Sequence, residues 1–190
     1  MVRIPYVEKE NAAPEVAELY AKMESRGFPI QNLWKMAAHC PAALGHMIRL
    51  GDAVLLKTRL NPTLREIAIL RSAVILDCAY ETKAHTGMGK QAGVTDEQIQ
   101  AVKDWKISRA FNKTEQAVLR FTDEITREAK VSDETFTNLQ QYLDADMMVE
   151  LAITIGFYGM LARVLLPFQV DLQEISQSTG QNLLNRSRGQ

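Results

Sequence analysis

The sequence predicts an all-α protein, and three observations carry that prediction. Apolar residues recur at three- and four-residue steps along most of the chain. No segment alternates apolar and polar residues between turn signals, so no strand is assigned. Helix stop and start residues fall between the periodic segments, at Asn61-Pro62, at Gly93-Val-Thr95 and at Pro167.

The elements follow in order. Val16, Leu19, Tyr20 and Met23 share one helical face after Pro14, and Gly27 stops that helix. A short apolar piece runs from Asn32 to His39 and ends before Pro41. Leu44, Met47, Ile48 and Leu55 continue on a third helix. Asn61 is an N-cap followed by Pro62 at the first helical position, opening the almost wholly apolar segment Thr63 to Leu76, which is expected to lie centrally. A helix beginning at Asp77, itself read as an N-cap, carries the chain to Gly93. Thr95 and Gln98 then fit a capping box. Asn112 to Glu115 opens the helix of Val118, Leu119, Phe121 and Ile125. Ser132 opens a shorter one with Phe136, Leu139 and Leu143. Asp144 or Asp146 starts the last long helix, which Pro167 ends. Asn61 and Asn112 open similar heptapeptides, an echo that common capping chemistry can produce.

Composition bounds the function. The 190 residues suit one domain or two tightly packed halves. With 22 basic and 23 acidic residues the net charge is −1, which leaves no basic footprint for nucleic acid. Two cysteines make no disulfide framework. The N-terminus lacks a signal-peptide pattern. The uncharged run Leu151 to Ala162 falls short of the roughly 20 residues that span a bilayer. A cytoplasmic protein with reduced thiols is expected, with neither membrane nor nucleic acid as partner.

The informative stretch is Asp77-Cys78-Ala-Tyr80-Glu81-Thr-Lys-Ala-His85. At about 100° per residue, Cys78, Glu81 and His85 fall at about 0°, 300° and 340°, one face of a helix. A thiol, a carboxyl and an imidazole thus share a column. Cys78 in the first turn would have its thiolate favoured by free N–H groups and the helix dipole. Glu81 would orient His85 for acid–base work. Glu66 is the only acidic residue in the apolar stretch Leu64 to Leu76, and it meets the column only if the chain turns near Leu76-Asp77. The same residues allow plainer roles: a core thiol, a surface Glu81–His85 pair, and a Glu66 paired with Arg59, Arg65 or Arg71. Metal binding is the weaker reading, since no standard metal-ligand spacing is present. His39 and His46 read as hydrogen-bonded structural histidines.

Several blocks in order resemble one family. Arg65-Glu66-Ile-Ala-Ile-Leu-Arg71, Cys78-Ala-Tyr-Glu81-Thr-Lys-Ala-His85 and Ala92-Gly93-Val-Thr are similar to the carboxymuconolactone decarboxylase and alkylhydroperoxidase D superfamily. Asn32-Leu-Trp-Lys-Met-Ala-Ala-His39-Cys-Pro41 and Glu150 to Arg163 resemble the flanking blocks of many members. The resemblance implies an alkylhydroperoxidase D-like fold of about seven to eight helices in a single domain over 1–175; residues 176–190, rich in Ser, Gln, Asn, Gly and Arg, read as a polar frayed tail, the alternative being an arm over a neighbouring subunit. The resemblance also implies homotrimers or homohexamers with sites near subunit interfaces.

The peroxidase branch uses Cys-x-x-Cys-x-x-x-His with an upstream Glu. Cys78, His85 and Glu66 match it, whereas Glu81 stands where the second cysteine would be. The decarboxylase branch carries Glu-x-x-x-His there, which Glu81 and His85 match. The resemblance therefore implies a cofactor-independent lyase on a small carboxylated or lactone substrate, with His85, Glu81, Glu66 and Cys78 in the site. Tyr80, His39 and Tyr158 are the residues expected to touch substrate. A thiol peroxidase or redox sensor built on Cys78, and a non-catalytic small-molecule binding or assembly protein, are the alternatives. No cofactor or metal is expected.

Overall fold

A computed structural model describes residues 1–173, and the tail expected over 176–190 lies outside them. Among the described residues the regular structure is helical throughout, with no strand. There are nine α-helices and two 3-10 turns, so the expected seven to eight is too few. The excess lies in short pieces of six or seven residues. Two of them, α6 (Asp96–Ala101) and α8 (Asp133–Leu139), begin at their own side-chain caps, Thr95 and Ser132. A capped turn is an independent helix however brief it is.

The chain forms two compact units. The first comprises Met1–Leu56 and the chain from Arg163. It holds α1 (Pro14–Glu24), α2 (Asn32–Ala37) and α3 (Pro41–Leu56) around Val16, Tyr20, Ala37 and Leu44. The Tyr20 hydroxyl satisfies its burial by donating to the Val7 carbonyl at 3.0 Å.

The second unit, Lys57–Ala162, is built on α4 (Pro62–Ile75). Asn61 Oδ1 caps it, accepting from the amides of Thr63 at 2.8 Å and Leu64 at 3.4 Å. Helix α4 packs on α5 (Ala79–Gln91) and α7 (Lys113–Glu128). One apolar cluster includes Leu60, Ala68, Val118, Leu139 and Leu151; another includes Ile67, Leu70, Val94, Trp105 and Leu119. The capping box expected at Thr95 forms, and Asn112 makes a second one with Glu115. The likeness of the heptapeptides at Asn61 and Asn112 is therefore shared N-capping.

The last helix, α9 (Ala145–Leu165), starts where Asp144 Oδ1 accepts from the Met147 amide at 2.9 Å, and stops before Pro167. Its 21 residues are long and apolar enough to cross a membrane by length and composition. Leu151, Ile155, Phe157 and Leu161 on one side are nevertheless buried in the chain, the pattern of a core helix.

Three charged residues of α4, Arg65, Glu66 and Arg71, sit deep in this unit. Arg71 donates from Nε to Asp123 Oδ1 at 2.5 Å and from Nη1 to the carbonyls of Val102 and Lys103. Trp105 Nε1 donates to Asp123 Oδ2 at 3.2 Å. The other two, Arg65 and Glu66, belong to the site described next.

Candidate functional site

The turn between α4 and α5 places the site. The sequence reading made Asp77 the N-cap of α5; the structure makes it the left-handed residue that closes α4, at φ 53°. The Cys78 amide bonds the Ala73 carbonyl at 2.8 Å and the Asp77 amide bonds that of Val74 at 3.2 Å, a paired C-terminal cap. An aspartate tolerates this conformation better than most side chains. Cys78 becomes the N-cap residue and α5 begins at Ala79.

After that reversal the second turn of α5 faces α4. His85 Nδ1 lies 2.7 Å from Glu66 Oε2 and donates to it. On its other side Nε2 stands 3.6 Å from Glu81 Oε2, too far for a hydrogen bond. The three side chains are buried, Glu66 being 1 % exposed, Glu81 3 % and His85 4 %. Glu81 Oε1 is also buried, with no hydrogen-bond partner among the described residues. Tyr158 of α9 closes the other face. Its ring meets the His85 ring edge-on, with centroids 4.6 Å apart, and Phe157 stacks edge-on behind it. Arg65 is buried beside Glu66, with Nε 3.4 Å from Oε1.

The electrostatics follow from these neighbours. Burial works against a charged His85, but the Glu66 carboxylate, its hydrogen bond and the Glu81 charge together raise the imidazole above its ordinary range. Glu81 is raised by burial first and by the Glu66 charge, with His85 opposing. The Tyr158 phenol is pushed well up by burial and by the two carboxyls. Cys78 is raised too, chiefly by burial. The backbone N–H groups of Glu81 and Tyr80 at the start of the helix favour the thiolate, but they do not offset the loss of water. Burial thus opposes the thiolate expected at this helix start.

One consequence concerns stability. A carboxyl raised on folding binds its proton more tightly in the native state, so stability falls as pH rises above its unfolded value of about 4.3. Glu81→Gln removes the ionisation. The variant should match wild type at acidic pH and gain on it steadily as pH rises. Urea unfolding at pH 4, 6 and 8 checks this, and a pH-independent difference would contradict it.

Glu66, Glu81, His85 and Tyr158 are thus brought together, with Cys78 at the N-terminus of the same helix. Glu81 is expected to orient His85, but the short bond to the imidazole is made by Glu66, and Glu81 faces the other nitrogen at 3.6 Å. Tyr80 is buried in the first turn of α5. His39 is exposed in the other unit, where Nε2 meets the Pro5 carbonyl at 2.8 Å. The two cysteines are free, Cys40 exposed and Cys78 buried. Arg65 was considered only as an ion-pair partner; its signal was a second charge inside an almost apolar helix. Among the described residues no cluster of His, Cys, Asp or Glu is arranged to hold a metal.

The family model described as the carboxymuconolactone decarboxylase family matches residues 41–124, a span that contains Glu66, Cys78, Glu81 and His85. No curated protein matches the sequence.

Solved structures of similar fold span most of the chain. An uncharacterized peroxidase-related protein from Ralstonia eutropha JMP134, described as an alkylhydroperoxidase AhpD core, is 17 % identical. It aligns over 94 % of this chain and 96 % of its own with a TM-score of 0.79. A peroxidase-related protein from Silicibacter sp. TM1040 is 16 % identical over 94 % of this chain and 95 % of its own, with a TM-score of 0.76. The debrominase Bmp8, in a cysteine-to-alanine variant bound to 2,3,4-tribromopyrrole, is 18 % identical over 96 % and 95 % of the two chains, with a TM-score of 0.71. At such identities the likeness establishes the alkylhydroperoxidase D-like fold, a scaffold on which more than one chemistry is built.

Proposed function

We propose that the protein is a cofactor-independent lyase that decarboxylates a small carboxylated or lactone-like substrate by acid–base chemistry. The observation that carries this reading is the commitment of His85 Nδ1 to Glu66 while Nε2 has no acceptor within bonding distance among the described residues. One nitrogen is held by a carboxylate and the other is left for substrate, the arrangement a general acid requires.

When the substrate carboxylate leaves as carbon dioxide, its bonding electrons remain on the adjacent carbon as an enolate-like system. His85 delivers the Nε2 proton to that carbon or its conjugated oxygen, and the Glu66 charge holds the imidazolium until then. Glu81 returns a proton to His85 through water or product, since 3.6 Å is too long for direct transfer. Tyr158 fixes the ring orientation. The test is a screen of carboxylated lactones and related acids for released carbon dioxide. Release by wild type and its loss in His85→Gln support the reading; a wild-type protein inert across the class overturns it.

Thiol chemistry is the second reading, and the specific observation for it is the place of Cys78 as the N-cap residue of α5, the helix that carries Glu81 and His85. The alkylation rate of Cys78 against pH, in a Cys40→Ser background, separates the two. The burial of the thiol leads to slow alkylation, with an apparent pKa at or above the ordinary value of about 8.5. Rapid alkylation at neutral pH with a peroxide-derived sulfenic acid would favour the thiol.

A further inference from the structure

Two carboxyls flank the His85 imidazole, and the chain treats them differently. Glu66 has a donor at each oxygen, Arg65 Nε at Oε1 and His85 Nδ1 at Oε2. Glu81 has no such support. Neither of its oxygens makes a hydrogen bond among the described residues, and Oε1 is fully buried. A buried carboxylate without donors is costly, whereas a neutral carboxyl gives up far less hydration. Glu66 is therefore the ionised member of the pair, and Glu81 is the one that keeps its proton. Burial and the Glu66 charge raise Glu81 in the same sense. With Arg65 and a protonated His85 positive and Glu66 negative, these four residues carry an uncompensated positive charge, which suits an anionic oxygen.

We propose that the Glu81 carboxyl and His85 Nε2 act as paired donors to a single oxygen of the substrate, the carbonyl oxygen on which charge collects when carbon dioxide leaves. Nε2 and Glu81 Oε2 are 3.6 Å apart, so an oxygen about 2.8 Å from both completes a triangle on that base. This role rests on the acid–base reading of the site and narrows its substrate. The departing carboxyl must stand β to a carbonyl, directly or through a conjugated double bond. In such an acid the C–C bond to the carboxylate breaks and its electron pair forms a C=C bond at the adjacent carbon. The carbonyl π electrons come to rest on oxygen as an enolate, and His85 then gives that enolate its Nε2 proton. A carboxyl with no carbonyl in conjugation leaves a carbanion, which offers the two donors no oxygen. Donors fixed in a dry site and aimed at a developing oxyanion favour the transition state over the neutral carbonyl.

Isothermal titration calorimetry of the full chain with tetronate tests the pairing. Tetronate is a five-membered lactone that carries a stable enolate oxygen at pH 6, and the unsubstituted butenolide is a neutral ring of the same size. Wild type is expected to bind tetronate at least about tenfold more tightly than the butenolide, the scale of a hydrogen bond to a charged group. Glu81→Gln keeps a donor of the same reach, so its affinity for tetronate should stay within about threefold of wild type. Glu81→Leu removes the donor at similar volume and should weaken tetronate by at least about tenfold. Circular dichroism checks the fold of both variants, and Glu81→Gln carries the test if the leucine chain does not fold. A wild type that binds neither ring, or both alike, overturns the pairing. So does a Glu81→Gln chain that binds tetronate about tenfold more tightly, the mark of an ionised Glu81 repelling the anion in wild type. A Glu81→Gln chain that loses tetronate, or a Glu81→Leu chain that binds it as wild type does, overturns it equally. Binding is read without turnover, so a negative result here is distinct from a failure to release carbon dioxide.

Discussion

Asp123→Ala is expected to lower the unfolding free energy by about 3 to 5 kcal/mol, the usual range for removing one partner of a buried ion pair. Asp123 accepts from Arg71 at 2.5 Å and from Trp105 at 3.2 Å, and both Arg71 and Asp123 are buried. The variant leaves a buried guanidinium with only the Val102 and Lys103 carbonyls, and an indole N–H with no acceptor. Lys106, 3.6 Å from Asp123, is itself a cation and offers no acceptor in its place. The pair also ties α4 to α7 and to the 3-10 turn Val102–Ile107, which places it at the centre of the second unit. Urea unfolding followed by Trp105 emission in a Trp34→Phe background reads the effect. A loss under about 1 kcal/mol, the scale of an exposed pair, would mean that water reaches the site.

His85→Gln is expected to reduce turnover by at least about 10²-fold, the lower end of what one positioned acid or base contributes. Glutamine keeps a polar side chain of similar reach but holds no proton to give. Glu66→Gln is the more discriminating variant. The Glu66 carboxylate and its bond are the chief causes that raise His85 against its burial. A general acid with a raised pKa keeps its proton above the ordinary value of about 6.5, so activity should persist through neutrality and fall at alkaline pH. In Glu66→Gln burial prevails, and that alkaline limb should move to lower pH while the fold is retained. A limb that does not move would remove Glu66 from the mechanism and return its role to packing.

The path from sequence to this site was uneven. The column of Cys78, Glu81 and His85 was visible because a helix makes neighbours of residues three and four apart. Glu66 stood out as an acid inside an apolar stretch, and the need for a turn near Leu76-Asp77 could be stated. The kind of turn could not. An N-cap and a left-handed C-terminal residue draw on overlapping residue types, and Asp77 took the second role because its amide and that of Cys78 close α4. The assignment of carboxylates failed for a related reason. Glu81 is the nearer to His85 in sequence, yet an i, i+4 pair on one helix reaches only 3.6 Å, while a residue from α4 approaches the ring to 2.7 Å. Tyr158 is expected to touch substrate, and only packing turns its ring onto the imidazole.

By itself the sequence determined the helical class, the caps at Asn61, Thr95, Asn112 and Ser132, and the residue types of the site. All of these rest on interactions within a few residues, which spacing and side-chain chemistry express directly. The tertiary structure decided which carboxylate holds His85, that Arg65 stands beside it, and that burial outweighs a helix N-terminus at Cys78. These depend on how closely two helices approach and how much water they exclude, quantities that no local spacing contains.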